Sequence, residues 1–255
     1  MQALNISVVQ TSLIWEDTDA NLTHLESMIS DLQDCDLIVL PEMFTTGFSM
    51  RPEMFARYSG ERAEAWLIDM SVKLGAAICG SYMRCEGELY YNTLGFATPD
   101  GVIQRYNKRH LFSPGAETEH YSKGRERLVL NYKGWKICPL ICYDLRFPVF
   151  SRNTEDFDLM LYVANWPEVR NYAWQQLLKA RAIENQCYVV ACNRIGDDAN
   201  GVKHAGNSCI VNFSGEEIGF GSDQKVFRFY LDKRALDAIR KQFPVLGDRD
   251  EFTLI

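Results

Sequence analysis

The chain contains no apolar run near 18 residues, so no stretch of it reads as a bilayer-spanning helix. Its eight cysteines (35, 79, 85, 138, 142, 187, 192 and 209) include no CxxC pair and form no dense framework. That scatter through apolar segments implies reduced thiols rather than disulfides, and argues against a zinc site. Basic charge is not in excess. The 34 acidic residues against 27 basic ones leave a net charge of −7, which argues against a nucleic-acid partner. There is no GxGxxG or P-loop to cradle a nucleotide phosphate. No Pro/Gly/Ser linker and no low-complexity segment divides the 255 residues, so a single domain spanning 1–255 is expected, with 243–255 as a C-terminal tail. The first residues, Met1 to Ile6, lack the basic and apolar regions of a secretion signal. The expectation is a cytoplasmic protein without a membrane partner.

What is present is a regular alternation of strands and helices. Ile6 to Leu13 reads as a strand, Asp17 to Leu32 as a helix with Asp17 near its cap, and Asp36 to Leu40 as a continuously apolar, buried strand. Glu61 to Leu74 reads as a second helix closed by Gly75, followed by a strand from Ala76 to Met83. Pro99-Asp100-Gly101 joins the strands Tyr90 to Thr98 and Val102 to Asn107 as a hairpin. Further strands are expected at Arg127 to Tyr132, Trp135 to Cys142, Leu159 to Ala164, Tyr188 to Cys192, Ser208 to Phe213, Glu217 to Phe220 and Lys225 to Leu231. Helices are expected at Asn171 to Gln186 and Asp232 to Gln242. The hairpins break a purely parallel pattern, which predicts an α/β fold with a mixed sheet, or two stacked sheets, and helices outside.

Three polar residues stand at strand ends, where α/β proteins place their ligands: Glu42 after Leu-Ile-Val-Leu-Pro, Lys108 after Ile-Gln-Arg-Tyr-Asn, and Cys142 after Ile-Cys-Pro-Leu-Ile. A base, a cation and a thiol are the components of acyl transfer. Cys142 sits where an apolar strand turns polar; backbone N–H groups of a following helical turn would lower its pKa and cradle an oxyanion. The competing reading is core packing, and Cys138, four residues earlier on the same strand, is read that way.

These segments carry a family resemblance. Pro41-Glu42, Tyr106 to Phe112 and Ile141 to Pro148 resemble the Glu, Lys and Cys signatures of the nitrilase superfamily of carbon–nitrogen hydrolases, in the family's order, over residues 4 to 232. Tyr162 to Pro167, Ala180 to Gln186 and Cys192-Asn193-Arg194 resemble its ω-amidase, or 2-oxoglutaramate amidase, branch. The resemblance implies a four-layer αββα sandwich of two mixed sheets, a homodimer, and no metal or organic cofactor. It implies Glu42 as general base, Cys142 as nucleophile and Lys108 as oxyanion donor. It also implies a second glutamate after the lysine, matched by Glu117, with Glu119 two residues on. The substrate implied is a small amide with a distant carboxylate. Arg146 is the candidate for that carboxylate, or else a structural partner of Asp144, and Tyr143, Phe44, Asn165 and Trp166 are expected to wall the pocket. Deaminated glutathione, nitriles and N-carbamoyl compounds remain alternative substrates, and a catalytically silent scaffold remains the alternative outside enzymes.

Overall fold

A computed structural model describes residues 3–219 and 221–253. In chain order, β1 (Ala3–Gln10), α1 (Thr18–Ile29), β2 (Leu37–Val39), α2 (Pro52–Leu74), β3 (Ala77–Glu86), β4 (Leu89–Ala97) and β5 (Ile103–Asn107) build the first half. A one-turn α3 (Glu117–His120) follows, then β6 (Leu130–Tyr132), β7 (Trp135–Ile141), β8 (Leu159–Ala164), α4 (Asn171–Asn185) and β9 (Tyr188–Asn193). The remainder is β10 (Ile195–Asp197), β11 (Lys203–Ala205), β12 (Cys209–Val211), β13 (Glu217–Gly219), β14 (Lys225–Asp232) and α5 (Lys233–Gln242).

The strands form two six-stranded mixed sheets, ordered β14-β1-β2-β3-β4-β5 and β13-β12-β9-β8-β7-β6, plus a separate β10-β11 ribbon. Strand periodicity explains the layering. On β2, Leu37 and Val39 face the other sheet while Ile38 faces α1 and α2. On β3, Ala77 and Cys79 face inward while Ile78 faces the helices. Leu22, Leu25 and Ile29 of α1, with Ala63, Leu67 and Met70 of α2, cover the outer face of the first sheet. Trp174, Leu178 and Ala182 of α4 and Leu236 of α5 pack on the second. The result is the expected α/β four-layer sandwich.

Several element ends differ by a few residues from the sequence reading, and two differences are larger. Helix α2 begins at Pro52, nine residues before the expected Glu61, and runs through Gly60. That glycine is a docking contact: a Cβ there would lie 2.7 Å from the carbonyl oxygen of Met83, so only glycine lets the helix approach β3 this closely. The ribbon β10-β11 carries too few apolar residues to read as strands in the sequence, yet it pairs antiparallel from Ile195↔Ala205 to Asp197↔Lys203. Phe220, expected at the end of β13, lies outside the described residues. Part of the tail packs on its own chain, because Gln186 Nε2 donates to the Phe243 carbonyl (2.7 Å) and Arg249 pairs with Asp156 (2.6 Å).

Candidate active site

Strands β2 and β5 run parallel within the first sheet, so Glu42 and Lys108 leave the same edge; β7 and β8 bring Cys142 and Asn165 to meet them from the second sheet. A cleft of about 320 Å³ opens over these four residues. Lys108 Nζ lies 2.8 Å from Glu42 Oε1 and 2.9 Å from Glu117 Oε2, with all three side chains fully buried. Glu117, not the exposed Glu119, is therefore the second glutamate at the lysine. The Phe112 N–H also donates to Glu117 Oε2, at 2.5 Å.

Each Glu42 oxygen is held separately. Oε1 accepts from Lys108 and from Asn92 Nδ2 (2.9 Å), while Oε2 accepts from the Asn165 N–H (2.8 Å). Asn165 also donates through Nδ2 to the Glu42 carbonyl at 2.7 Å. Asn92 further donates to Glu117 Oε1 at 3.1 Å and so ties the two carboxylates together. Its role was missed in the sequence, where it sits inside an otherwise ordinary strand; a buried Asn amid apolar neighbours was the available signal.

Three of the nine non-glycine residues with left-handed backbone among the described residues lie at the site. Met43 (φ 45°), Ala116 (φ 60°) and Cys142 (φ 41°), next to Glu42, next to Glu117 and at the thiol itself, occupy the left-handed region without being glycine. After Cys142 the chain forms a helical turn of the 3₁₀ kind, Cys142–Arg146. Asp144 within it is fully buried and clamps two loops, accepting from Tyr106 OH (2.7 Å), Ile141 N (3.0 Å) and His110 N (3.0 Å). It is thus engaged elsewhere than with Arg146, whose guanidinium lies 5.0 Å over the Trp166 ring in the cleft.

The electrostatics correct one expectation. The thiol of Cys142 is pushed well above its ordinary value, first by burial and then by the Glu42 charge, against a weaker opposing pull from Lys108. A turn this short offers no helix dipole to reverse that. Burial would lower the Lys108 ammonium, but Glu117 and Glu42 outweigh it and hold the lysine above its usual range. Burial raises the Glu117 carboxyl, with Lys108 pulling the other way.

Tyr143, Arg146, Asn165 and Trp166 line the cleft as expected. Phe44 does not. Its ring is fully buried on the helix side of the first sheet, 6.0 Å from Trp66 and 6.3 Å from Tyr82, because the turn at Met43 directs it away from the strand ends. The structure adds Phe112 and Arg170 to the wall. Among the described residues, no cluster of three or more His, Cys, Asp or Glu is arranged to hold a metal.

Comparison with known proteins agrees with this geometry. The family described as carbon-nitrogen hydrolase matches residues 5–225. An omega-amidase, YafV, of Yersinia enterocolitica is 45% identical over the full length of both chains. A 2-oxoglutaramate amidase of Bacillus subtilis is 33% identical, covering 95% of this chain and 96% of its own. The crystal structure of XC1258 from Xanthomonas campestris, a CN-hydrolase superfamily protein with an arsenic adduct in the active site, is 43% identical. It superposes with a TM-score of 0.97, covering 100% of both chains. Matching family signature, full-length relatives and a near-identical fold lead to one conclusion: this chain belongs to the carbon–nitrogen hydrolase family.

Proposed function

We propose that the protein is an ω-amidase, which hydrolyses the terminal amide of a small carboxylated ω-amide such as 2-oxoglutaramate to the carboxylate and ammonia. The observation that carries the reading is the buried Glu42–Lys108–Glu117 cluster facing Cys142 beneath a cleft whose wall holds Arg146, to which no carboxylate is ion-paired among the described residues. Full-length relatives named for that activity support it.

With its pKa raised, the resting thiol is protonated, and Glu42 takes the proton as sulfur attacks the amide carbonyl. This transfer moves a negative charge from Glu42 to sulfur beside the same Lys108 ammonium, so the buried net charge stays constant. Creating an isolated buried thiolate would be far more costly. Lys108 and the backbone N–H of Tyr143 stabilise the tetrahedral oxyanion. Glu42 returns the proton to nitrogen, the C–N bond breaks, and ammonia leaves a thioester on Cys142. Water then attacks that thioester, Glu42 accepting its proton, and the thiolate leaves with the proton returned. Glu117 fixes Lys108, and no redox or cofactor step is needed in this sequence.

Arg146 pairs with the far carboxylate, its guanidinium held over the Trp166 ring. We also place the protein in the cytoplasm as a homodimer. The free cysteines support the first assignment; exposed Val169, Tyr172 and Phe243, with part of the tail, support the second. The test is ammonia release from 2-oxoglutaramate beside glutamine, deaminated glutathione, a carbamoyl amino acid and a nitrile, with Cys142→Ala as the blank. Fastest turnover of 2-oxoglutaramate and a dead blank are expected. Inertness toward every amide would sink the proposal.

A further inference from the structure

The wall of the cleft holds a second guanidinium that the mechanism leaves unused. Arg170 ends a 3₁₀ turn, Glu168–Arg170, that leads into α4, and it faces the same cleft as Cys142 and Arg146. Its guanidinium carbon lies 5.1 Å over the Phe112 ring, as that of Arg146 lies 5.0 Å over Trp166. The two platforms are fixed to the site. Phe112 meets Tyr143 edge-on (5.1 Å, 74°), and its N–H holds Glu117; Trp166 donates through Nε1 to the Arg170 carbonyl at 2.9 Å. A guanidinium held over an aromatic face by the ring quadrupole keeps its N–H groups for a ligand.

Charge balance adds a second argument. Among the described residues, no carboxylate is ion-paired to Arg146 or Arg170. At the floor, Lys108 is matched by Glu42 and Glu117. The acid at the mouth, Asp198, is used within its own loop, where Oδ1 accepts from the N–H groups of Asn200 and Val202, each at 2.9 Å. The cleft wall therefore carries two guanidinium groups against the single carboxylate of Asp198, in a chain whose formal net charge is −7. A single carboxylate satisfies one planar fork; a second fork nearby is matched by a neutral acceptor next to that carboxylate and is repelled by an ammonium in the same place.

We infer that Arg170 is a specificity-determining residue which, with Arg146, selects amides whose far end is a 2-oxo acid over amides whose far end is an α-amino acid. The inference rests on the ω-amidase reading and names the feature of the substrate that the second arginine reads. In 2-oxoglutaramate the carboxylate and the adjacent keto oxygen offer acceptors to both guanidinium groups. In glutamine an ammonium replaces the keto oxygen and faces Arg170.

The experiment is steady-state hydrolysis of 2-oxoglutaramate, glutamine and neutral butyramide by the native protein, Arg170→Gln and Arg170→Lys. In Arg170→Gln the KM ratio of 2-oxoglutaramate to butyramide is expected to rise about tenfold or more, as befits loss of a charged fork. The preference in kcat/KM for 2-oxoglutaramate over glutamine is expected to fall by a similar factor. Arg170→Lys, which keeps the charge and loses the fork, recovers part of both ratios. Butyramide reports whether each variant is folded and chemically competent. A native enzyme active on 2-oxoglutaramate whose ratios do not move in Arg170→Gln overturns the role of Arg170 alone. A native enzyme that hydrolyses butyramide and leaves 2-oxoglutaramate untouched overturns the ω-amidase reading, and this inference with it.

Discussion

Cys138 and Cys142 belong to one short stretch, four residues apart, and burial raises both thiols, that of Cys138 up to about 12. Burial therefore does not distinguish the structural cysteine from the candidate nucleophile. Their neighbours do. Cys138 sits in regular strand geometry opposite Met160 of β8, fully buried on the face of the second sheet that α4 covers. Cys142 has left-handed backbone, 9% exposure at the cleft floor, and a carboxylate and an ammonium within reach. In the proposed mechanism the Cys142 thiol serves as nucleophile because it has somewhere to send its proton, not because it is acidic at rest.

The comparison is broken most directly by exchanging the two roles. Cys142→Ala should abolish ammonia release, while Cys138→Ala should keep full kcat and lose on the order of 1 kcal/mol to the cavity it leaves, read by denaturant titration. Activity surviving in Cys142→Ala would end the distinction. Next in size, Glu42→Gln removes the proton acceptor and should cost about 10²–10⁴ in kcat, bringing Cys142 closer in reactivity to Cys138 toward a thiol-alkylating reagent. Lys108→Ala should cost at least about 10²–10³ through the oxyanion; near-full turnover would remove its role.

Carboxylates sharpen the contrast through pH. Glu117 lies above its ordinary value of 4.5, so on acidification it takes a proton before an ordinary glutamate would and releases Lys108. The acid limb of kcat/KM should accordingly lie above pH 4.5, and a limb at or below that value would contradict the assignment. Glu64 behaves oppositely. Partial burial pushes it up, but hydrogen bonds from Arg105 (2.8 Å) and Tyr82 (2.7 Å) win and hold it below its usual value. A depressed folded-state pKa contributes stability that is complete above 4.5 and is lost as pH falls through the depressed value. Glu64→Gln should therefore lower stability slightly at neutral pH, by about 1 kcal/mol or less for so exposed a cluster, and leave kcat alone.

Much of this was legible in the chain itself. The order Glu42, Lys108, Cys142 at strand ends, Asp17 and Gly75 as caps, and the α4 stripe of Trp174, Leu177, Leu178 and Ala182, of which Leu177 is only partly buried, all follow from local pattern. What was not legible depends on contacts between distant segments. The start of α2 was read at Glu61 because the place of Gly60 inside the helix shows only when Met83 is set against it, and Phe44 reads as a pocket wall until the backbone turns at Met43. Asn92 becomes part of the site only because β4 pairs with β5, with Thr93 opposite Asn107, so that its amide meets residues 42 and 117. The resting state of the Cys142 thiol was misjudged for the same reason: its pKa is set by burial and by Glu42, which is 100 residues away in sequence.

The ribbon β10-β11 belongs to neither sheet, yet Asp198, Asn200, Val202 and His204 from it border the cleft. Bond-making groups and much of the entrance are thus encoded in separable parts of the gene. Insertions or substitutions between 197 and 203 can diversify what is admitted without disturbing the strands that align Glu42, Lys108 and Cys142. A lineage built this way can explore new amides by editing a hairpin while inheriting its chemistry unchanged.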